Sequence, residues 1–239
     1  MHIDQLSSSE LESELAGLQQ EYRRLQGLSL SLDLTRGKPG PEQLSLSNEL
    51  DGVLAGNYMT GSGQDVRNYG GLEGLPEARE LFGAVLGAPA ANTLVGGNSS
   101  LTLMYTVVDF ALSAGLRGPA TAWGNSDEVR FLCPAPGYDR HFAVCEHLGL
   151  EMIPVPMLAS GPDMDVVEQL VRSDPAIKGI WCVPRFSNPT GCVYSNDTVE
   201  RLARLGQIAG EHFIVMWDNA YAVHNIYTDA PQLASIWDY

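Results

Sequence analysis

Nowhere in the chain does an apolar run approach the ~20 residues of a membrane-spanning helix, which argues against a membrane protein. The amino terminus, MHIDQLSSSELESELAGLQQEYRRLQ, lacks the basic start, apolar middle and small-residue cleavage site of a secretory signal, so a cytoplasmic protein is expected. Positive charge is scarce. Fourteen Lys and Arg against twenty-nine Asp and Glu leave a net charge of -15, and the basic residues are scattered, so no nucleic-acid backbone is an expected partner. Four cysteines (Cys133, Cys145, Cys182 and Cys192) show no C-x-x-C spacing, which favours buried free thiols over zinc or disulfides. Five histidines are dispersed, and the one close pair, His141 and His147, falls on different faces of a helix, so no metal is expected. Internal repeats and low-complexity tracts are also missing. No G-x-G-x-x-G follows a strand, since VGGNSS lacks that spacing, and a dinucleotide-binding protein is disfavoured.

The 239 residues are 44% apolar and 18% charged, as in an ordinary globular chain with a sizeable core. Leu11, Leu15, Leu18, Tyr22 and Leu25 repeat at a helical period behind the capping signal SSSE, predicting one long surface helix. LDLTRGKPGPEQLSLS, broken by Gly37, Pro39, Gly40 and Pro41, reads as an extended linker between lobes. From about Tyr69, helices are predicted in LPEARELFGAVLG, SSLTLMYTVVDFAL, a stretch from about Asp139, DMDVVEQLVRS and NDTVERLARLGQIAG. Strands are predicted in VRFLC, EMIPV, IKGIWCV and FIVMW. Alternating helices and continuously apolar strands imply an α/β fold: a largely parallel sheet with helices on both faces. The final YTDAPQLASIWDY has no polar tail, and the expectation is a chain cut inside a larger fold.

Four features fall at strand-to-helix junctions, where a parallel sheet builds its sites. In GGNSS, two glycines and the hydroxyls of Ser99 and Ser100 precede a helix whose free amides attract an anion such as phosphate; Ser and Asn are equally ordinary helix caps. In CPAPGYDRH, a proline-stiffened loop sets Tyr138 beyond its strand, where it can stack on a planar ring or serve as a core tyrosine. In SNPTG, Asn188 offers an amide at the next strand end, and a cis Asn188–Pro189 bond is expected to turn it back over a ligand. In WDNAY, Asp218 ends an apolar strand where a carboxylate is costly to bury unless a cation meets it. A phosphate cradle, a stacking aromatic, an amide and a deep carboxylate together suit a phosphorylated heterocycle with a protonatable nitrogen.

SNPTG, and D-x-x-Y about thirty residues later, resemble the marks of fold-type I, pyridoxal phosphate-dependent class I aminotransferases. LTRGKP, GNSSL and DNAY are most similar to an atypical bacterial subgroup of aspartate aminotransferases. The resemblance covers about Gly37 to Tyr239. It implies pyridoxal 5'-phosphate as cofactor, held at its phosphate by Ser99, Ser100 and the backbone near Asn98. Tyr138 would stack on the ring, Asn188 and Tyr221 would bond its 3-oxygen, and Asp218 would pair with the pyridinium nitrogen, making Asp218 and Tyr221 the catalytic pair. Tyr69 in RNYGGLEGLPEAR resembles a tyrosine that reaches the neighbouring subunit's phosphate, which implies a homodimer. Gly37 resembles the glycine whose backbone meets the substrate carboxylate, beside Asn188. Residues 1–50 would be an amino-terminal arm and part of a smaller domain, and 51–239 a cofactor-binding large domain incomplete at its carboxyl end.

The resemblance further implies transfer of an amino group from an amino acid, L-aspartate in that subgroup, to a 2-oxo acid such as 2-oxoglutarate. Aromatic or alanine-like substrates, β-elimination, and a non-catalytic aminotransferase-like effector module stay open as alternatives. The family's Schiff-base lysine is expected beyond D-x-x-Y. The two lysines present, Lys38 in the linker and Lys178 at a strand start and expected to be solvated, occupy other places.

Overall fold

A computed structural model describes residues 6–32, 37–225 and 227–239. Two compact units result, Met1–Tyr58 and Met59–Tyr239.

In the first unit, helix α1 (Ser8–Gly27) starts at a capping box: Glu10 N donates to Ser7 Oγ, and Ser7 N donates to Glu10 Oε2 at 2.8 Å. Its apolar stripe, Leu11, Leu15, Leu18, Tyr22 and Leu25, is exposed along the whole helix. The stretch read as an extended linker is partly helical. Residues 33–36 of it lie outside the described residues, but Pro41–Ser45 form a short helix α2 and Asn48–Leu50 a 3-10 turn. The cause is local: Pro41 presets the first helical φ, and the Gln43 side chain accepts from Gly40 N at 2.8 Å.

The second unit opens with helices α3 (Pro76–Leu86) and α4 (Ser100–Ser113). Strand β1 (Arg130–Ala135), helix α5 (Asp139–Leu148), strands β2 (Glu151–Leu158) and β3 (Gly161–Pro162) and helix α6 (Met164–Ser173) follow. Strand β4 (Ile177–Cys182), helix α7 (Asn196–Ala203) and strand β5 (Ile214–Trp217) complete it. The sheet order is β3-β2-β1-β4-β5. Its β2-β1-β4-β5 core is parallel, and the short β3 turns back antiparallel on β2, a hairpin the apolar pattern alone did not announce. The run NDTVERLARLGQIAG is not one helix: α7 ends at Ala203, and Leu205–Gln207 is a separate 3-10 turn around Gly206, a residue that weakens helix continuation.

The central strands β1 and β4 bury both faces, which is why they read as apolar without alternation. Phe131, Cys133, Trp181 and Met216 face α4 and α5, meeting Met104, Val108, Ala111, Val144 and Cys145. Leu132, Ile180 and Cys182 face α6 and α7, meeting Val167, Val171, Val199 and Leu202. Cys133, Cys145 and Cys182 are buried and free, and Cys192 is half-buried and free. Burial pushes the Cys182 thiol up. Lys178 departs from the expectation of a solvated side chain. Only 9% of it is exposed, because its stem packs into the sheet end while Nζ donates to the Glu211 carbonyl at 3.2 Å. Among the described residues no helix is long and apolar enough to cross a membrane, and no group of three or more His, Cys, Asp or Glu could hold a metal ion.

Gly179 on β4 lies under the Phe131 ring, and a Cβ there would stand 2.3 Å from Phe131 Cζ. Phe131 cannot yield easily, since Trp123 packs against it at 5.8 Å and Trp181 at 5.2 Å. Gly179→Ala is therefore expected to destabilise the protein by about 1 to 3 kcal/mol through overpacking. Chemical denaturation checks it, and an unchanged midpoint would refute the packing described here.

Candidate active site

Parallel strands β1, β4 and β5 are neighbours, so their carboxyl ends open on one edge of the sheet. Tyr138 follows β1 as the cap of α5, Asn188 follows β4, and Asp218 directly follows β5. The last ladder bond, Asp218 N to the Cys182 carbonyl at 2.8 Å, places the Asp218 carboxylate just beyond the end of β4.

Asp218 is only 6% exposed, and the hydrogen-bond partner that burial demands is His141. Its Nε2 lies 3.0 Å from Asp218 Oδ2. An ionised carboxylate only accepts, so Nε2 carries the proton of this pair. The imidazole is fully buried and fixed from two sides. It stacks on Trp181 with centroids 4.6 Å apart and planes 14° apart, and the Tyr138 ring stands perpendicular to it at 5.1 Å. Trp181 is held in turn by a bond from Nε1 to Cys145 Sγ at 3.1 Å. The neighbouring Cys133 and, less so, that bond lower the Cys145 thiol against burial, whereas Cys133 is pushed up by Cys145 beside it and by burial.

The dispersed histidines, read for metal spacing alone, give no sign of His141's role. The usable signal was different: His141 lies three residues after Tyr138, one helical turn along α5 and at the same strand end. Arg185, also unforeseen, is buried in the loop after β4 and donates to Ala222 and Pro231 carbonyls and to Asn225 Oδ1.

The residues expected at the site divide in two. Tyr138, Asn188 and Tyr221 are half-buried, with side chains that make no hydrogen bond among the described residues, and the Asn188–Pro189 bond is cis. The Tyr221 ring packs edge-on against His224 at 6.0 Å, in the turn that follows Asp218. Contacts thus join Tyr138 to Asp218 through His141, and the short Asp218–Tyr221 turn adds the second tyrosine. The others stand open. Asn98, Ser99 and Ser100 are exposed at the amino end of α4, where Ser99 Oγ accepts from Thr102 N at 3.3 Å, so Ser99 does cap a helix. Tyr69 is fully exposed, and Gly37 is exposed in the amino-terminal unit.

The donor set suits the heterocycle inferred from sequence. A buried carboxylate keeps Oδ1 free of any hydrogen bond among the described residues, an aromatic face and two uncommitted donors lie at adjacent strand ends, and a 14-residue helix opens with hydroxyls. Lys178 is not placed to join it, since it stands at the amino end of β4, opposite the strand ends.

Comparison with known proteins follows the same lines. Residues 6–238 match the family model described as aspartate amino-transferase. The chain is 51% identical over 229 residues to a Mycolicibacterium smegmatis protein provisionally named an aminotransferase, covering 95% of this chain and 53% of that one. It is 41% identical over 240 residues to an aspartate aminotransferase of Corynebacterium glutamicum, covering 98% and 55%. A crystal structure of a Corynebacterium glutamicum aspartate transaminase superimposes with a TM-score of 0.84 at 40% identity, over 97% of this chain and 54% of that one. The chain therefore spans about half the length of the curated relatives it matches, and it belongs to the aspartate aminotransferase family.

Proposed function

We propose that the protein is a pyridoxal phosphate-dependent aminotransferase, moving the amino group of L-aspartate to 2-oxoglutarate as a cytoplasmic homodimer. The observation that carries this reading is the buried Asp218 carboxylate, locked on one oxygen by His141 and uncommitted on the other, at the strand ends beside Tyr138. The relative named aspartate aminotransferase supports aspartate as the amino donor.

When bound, pyridoxal phosphate supplies an electron sink for the charge left as the substrate's α-proton departs. Asp218 Oδ1 would accept from the ring N–H and hold its proton there, since a nearby opposite charge favours the charged form. His141 fixes the carboxylate's rotation through its hydrogen bond, so no reorganisation is needed as the reaction proceeds. Tyr138 would cover one ring face, and Asn188 and Tyr221 would donate to the 3-oxygen. The amino end of α4, with Asn98, Ser99 and Ser100, would bind the phosphate through amides, hydroxyls and helix dipole. Tyr69, fully exposed in the monomer, would complete the partner subunit's phosphate site, and the Gly37 backbone would meet the substrate carboxylate.

Two expected outcomes test the reading in the full-length protein. Asp218→Ala should keep the fold yet lower turnover by roughly a hundredfold or more, the scale of losing one preorganised electrostatic stabiliser. Single-turnover spectroscopy should locate the loss in α-proton removal, with Asp218→Glu less impaired. Wild-type α-proton removal by the alanine variant would reduce Asp218 to a strand cap. His141→Phe keeps an aromatic ring for Trp181 but strands the carboxylate, so it should destabilise the fold by about 1 to 3 kcal/mol, the cost of a buried group left unpaired. Urea titration checks it, and adding Asp218→Leu should recover part of that stability. Additive losses from the two substitutions would refute the pairing.

A further inference from the structure

Arg185 is a buried arginine without a carboxylate. Only 8% of it is exposed, and both terminal nitrogens of its guanidinium are committed to neutral acceptors, while Nε has no hydrogen-bond partner among the described residues. Nη1 donates to the Ala222 carbonyl at 2.6 Å, while Nη2 donates to Asn225 Oδ1 at 2.7 Å and to the Pro231 carbonyl at 3.3 Å. Its Cζ lies 5.2 Å from the centroid of the Phe186 ring, and Phe186 itself takes a left-handed φ of 49°. A buried cation is costly unless its donors are met. Here the acceptors come from one stretch of chain, the one that leaves β5 through Asp218 and Tyr221.

The placement of that grip has a consequence for the site. Asn188 and Tyr221 hang from loops of different strands, β4 and β5, yet in the function proposed above both donate to the same oxygen. Two donors converging on one acceptor need their separation held to a fraction of an ångström. The β4–β5 ladder ends with the bond from Asp218 N to the Cys182 carbonyl, and beyond it both chains leave the sheet. Among the described residues, every hydrogen bond that joins residues 183–195 to residues 219–231 is made by Arg185. It stands three residues before Asn188, and its 2.6 Å bond falls on the carbonyl one residue after Tyr221.

We infer that Arg185 is a positioning residue: it ties the turn carrying Tyr221 to the loop carrying Asn188 and so sets the spacing of the two donors. The inference rests on the proposed roles of Asn188 and Tyr221. The fork is essential to it, because a planar guanidinium reaches several fixed acceptors at once, whereas an ammonium is a single point charge.

The test uses full-length protein carrying Arg185→Met, Arg185→Lys, Tyr221→Phe, or Arg185→Met with Tyr221→Phe. Amide exchange of residues 222–225, with and without cofactor, reads the clamp; the pH titration of the bound cofactor's visible absorption reads the 3-oxygen contact. Arg185→Met should speed exchange by at least about tenfold, with Arg185→Lys between it and the wild type. Its titration midpoint should move in the same direction as that of Tyr221→Phe, and the double variant should move no further than Tyr221→Phe alone. Wild-type exchange in Arg185→Met, or midpoint shifts that simply add, would overturn the inference. If Tyr221→Phe itself leaves the titration unmoved, the proposed role of Tyr221 fails and this inference with it. If Tyr221→Phe shifts the midpoint and Arg185→Met does not, this inference fails alone. Should Arg185→Met not fold, Arg185→Lys decides by the same two readouts.

Discussion

A carboxylate buried at the end of a strand needs a hydrogen-bond partner there, and at Asp218 that partner is His141 at 3.0 Å. Much of the surrounding architecture serves this one bond. His141 has to stand in the first turn of α5 to reach across β4, so the loop from β1 into α5 must be short and stiff, and CPAPG makes it so with two prolines and a glycine. Gly137 is required for close approach: a Cβ there would sit 2.2 Å from the Pro134 carbonyl. Trp181 provides the floor on which the imidazole stacks, and Cys145 fixes Trp181 through its indole N–H. The polar pair is thereby held by aromatic and sulfur contacts that belong to the core of the α4 and α5 face.

This arrangement explains how far the molecule could be read from its residues. The parallel sheet was legible because a strand covered on both faces runs apolar without alternation, as FLC, GIWCV and FIVMW do. Asp218 was legible for the opposite reason, as an acid placed where such a run ends. His141 was not, because its role depends on a neighbour 77 residues away that only the β1-β4-β5 order brings near. Arg185 escaped for a similar reason: a lone arginine in a loop reads as solvated until the chain beyond β5 returns to wrap it. Lys178 erred in the same direction, since a long stem can be buried while its charge finds a backbone carbonyl. The misread linker shows a local limit instead. Proline and glycine announce a break in the chain, but Pro41 also starts a helix.

The site thus has two grades of order, and the division follows from which residues the sheet itself constrains. Asp218, His141 and Trp181 stand on or directly beside strands, are buried, and have their partners within the monomer. Asn98, Ser99, Ser100 and Tyr69 lie on loops and a helix end and are exposed. In the proposed chemistry the first group acts where charge develops and gains from being preorganised. The second group binds an anion that arrives with the cofactor, and an exposed helix end can meet that anion without prior desolvation. Asn188 and Tyr221 fall between the grades, half-buried on loops with uncommitted side chains. In the proposed function they need fixed geometry at positions the sheet no longer controls. A loop in that situation needs an anchor of its own, and a buried guanidinium with several acceptors on the opposite loop is a physical means of supplying one.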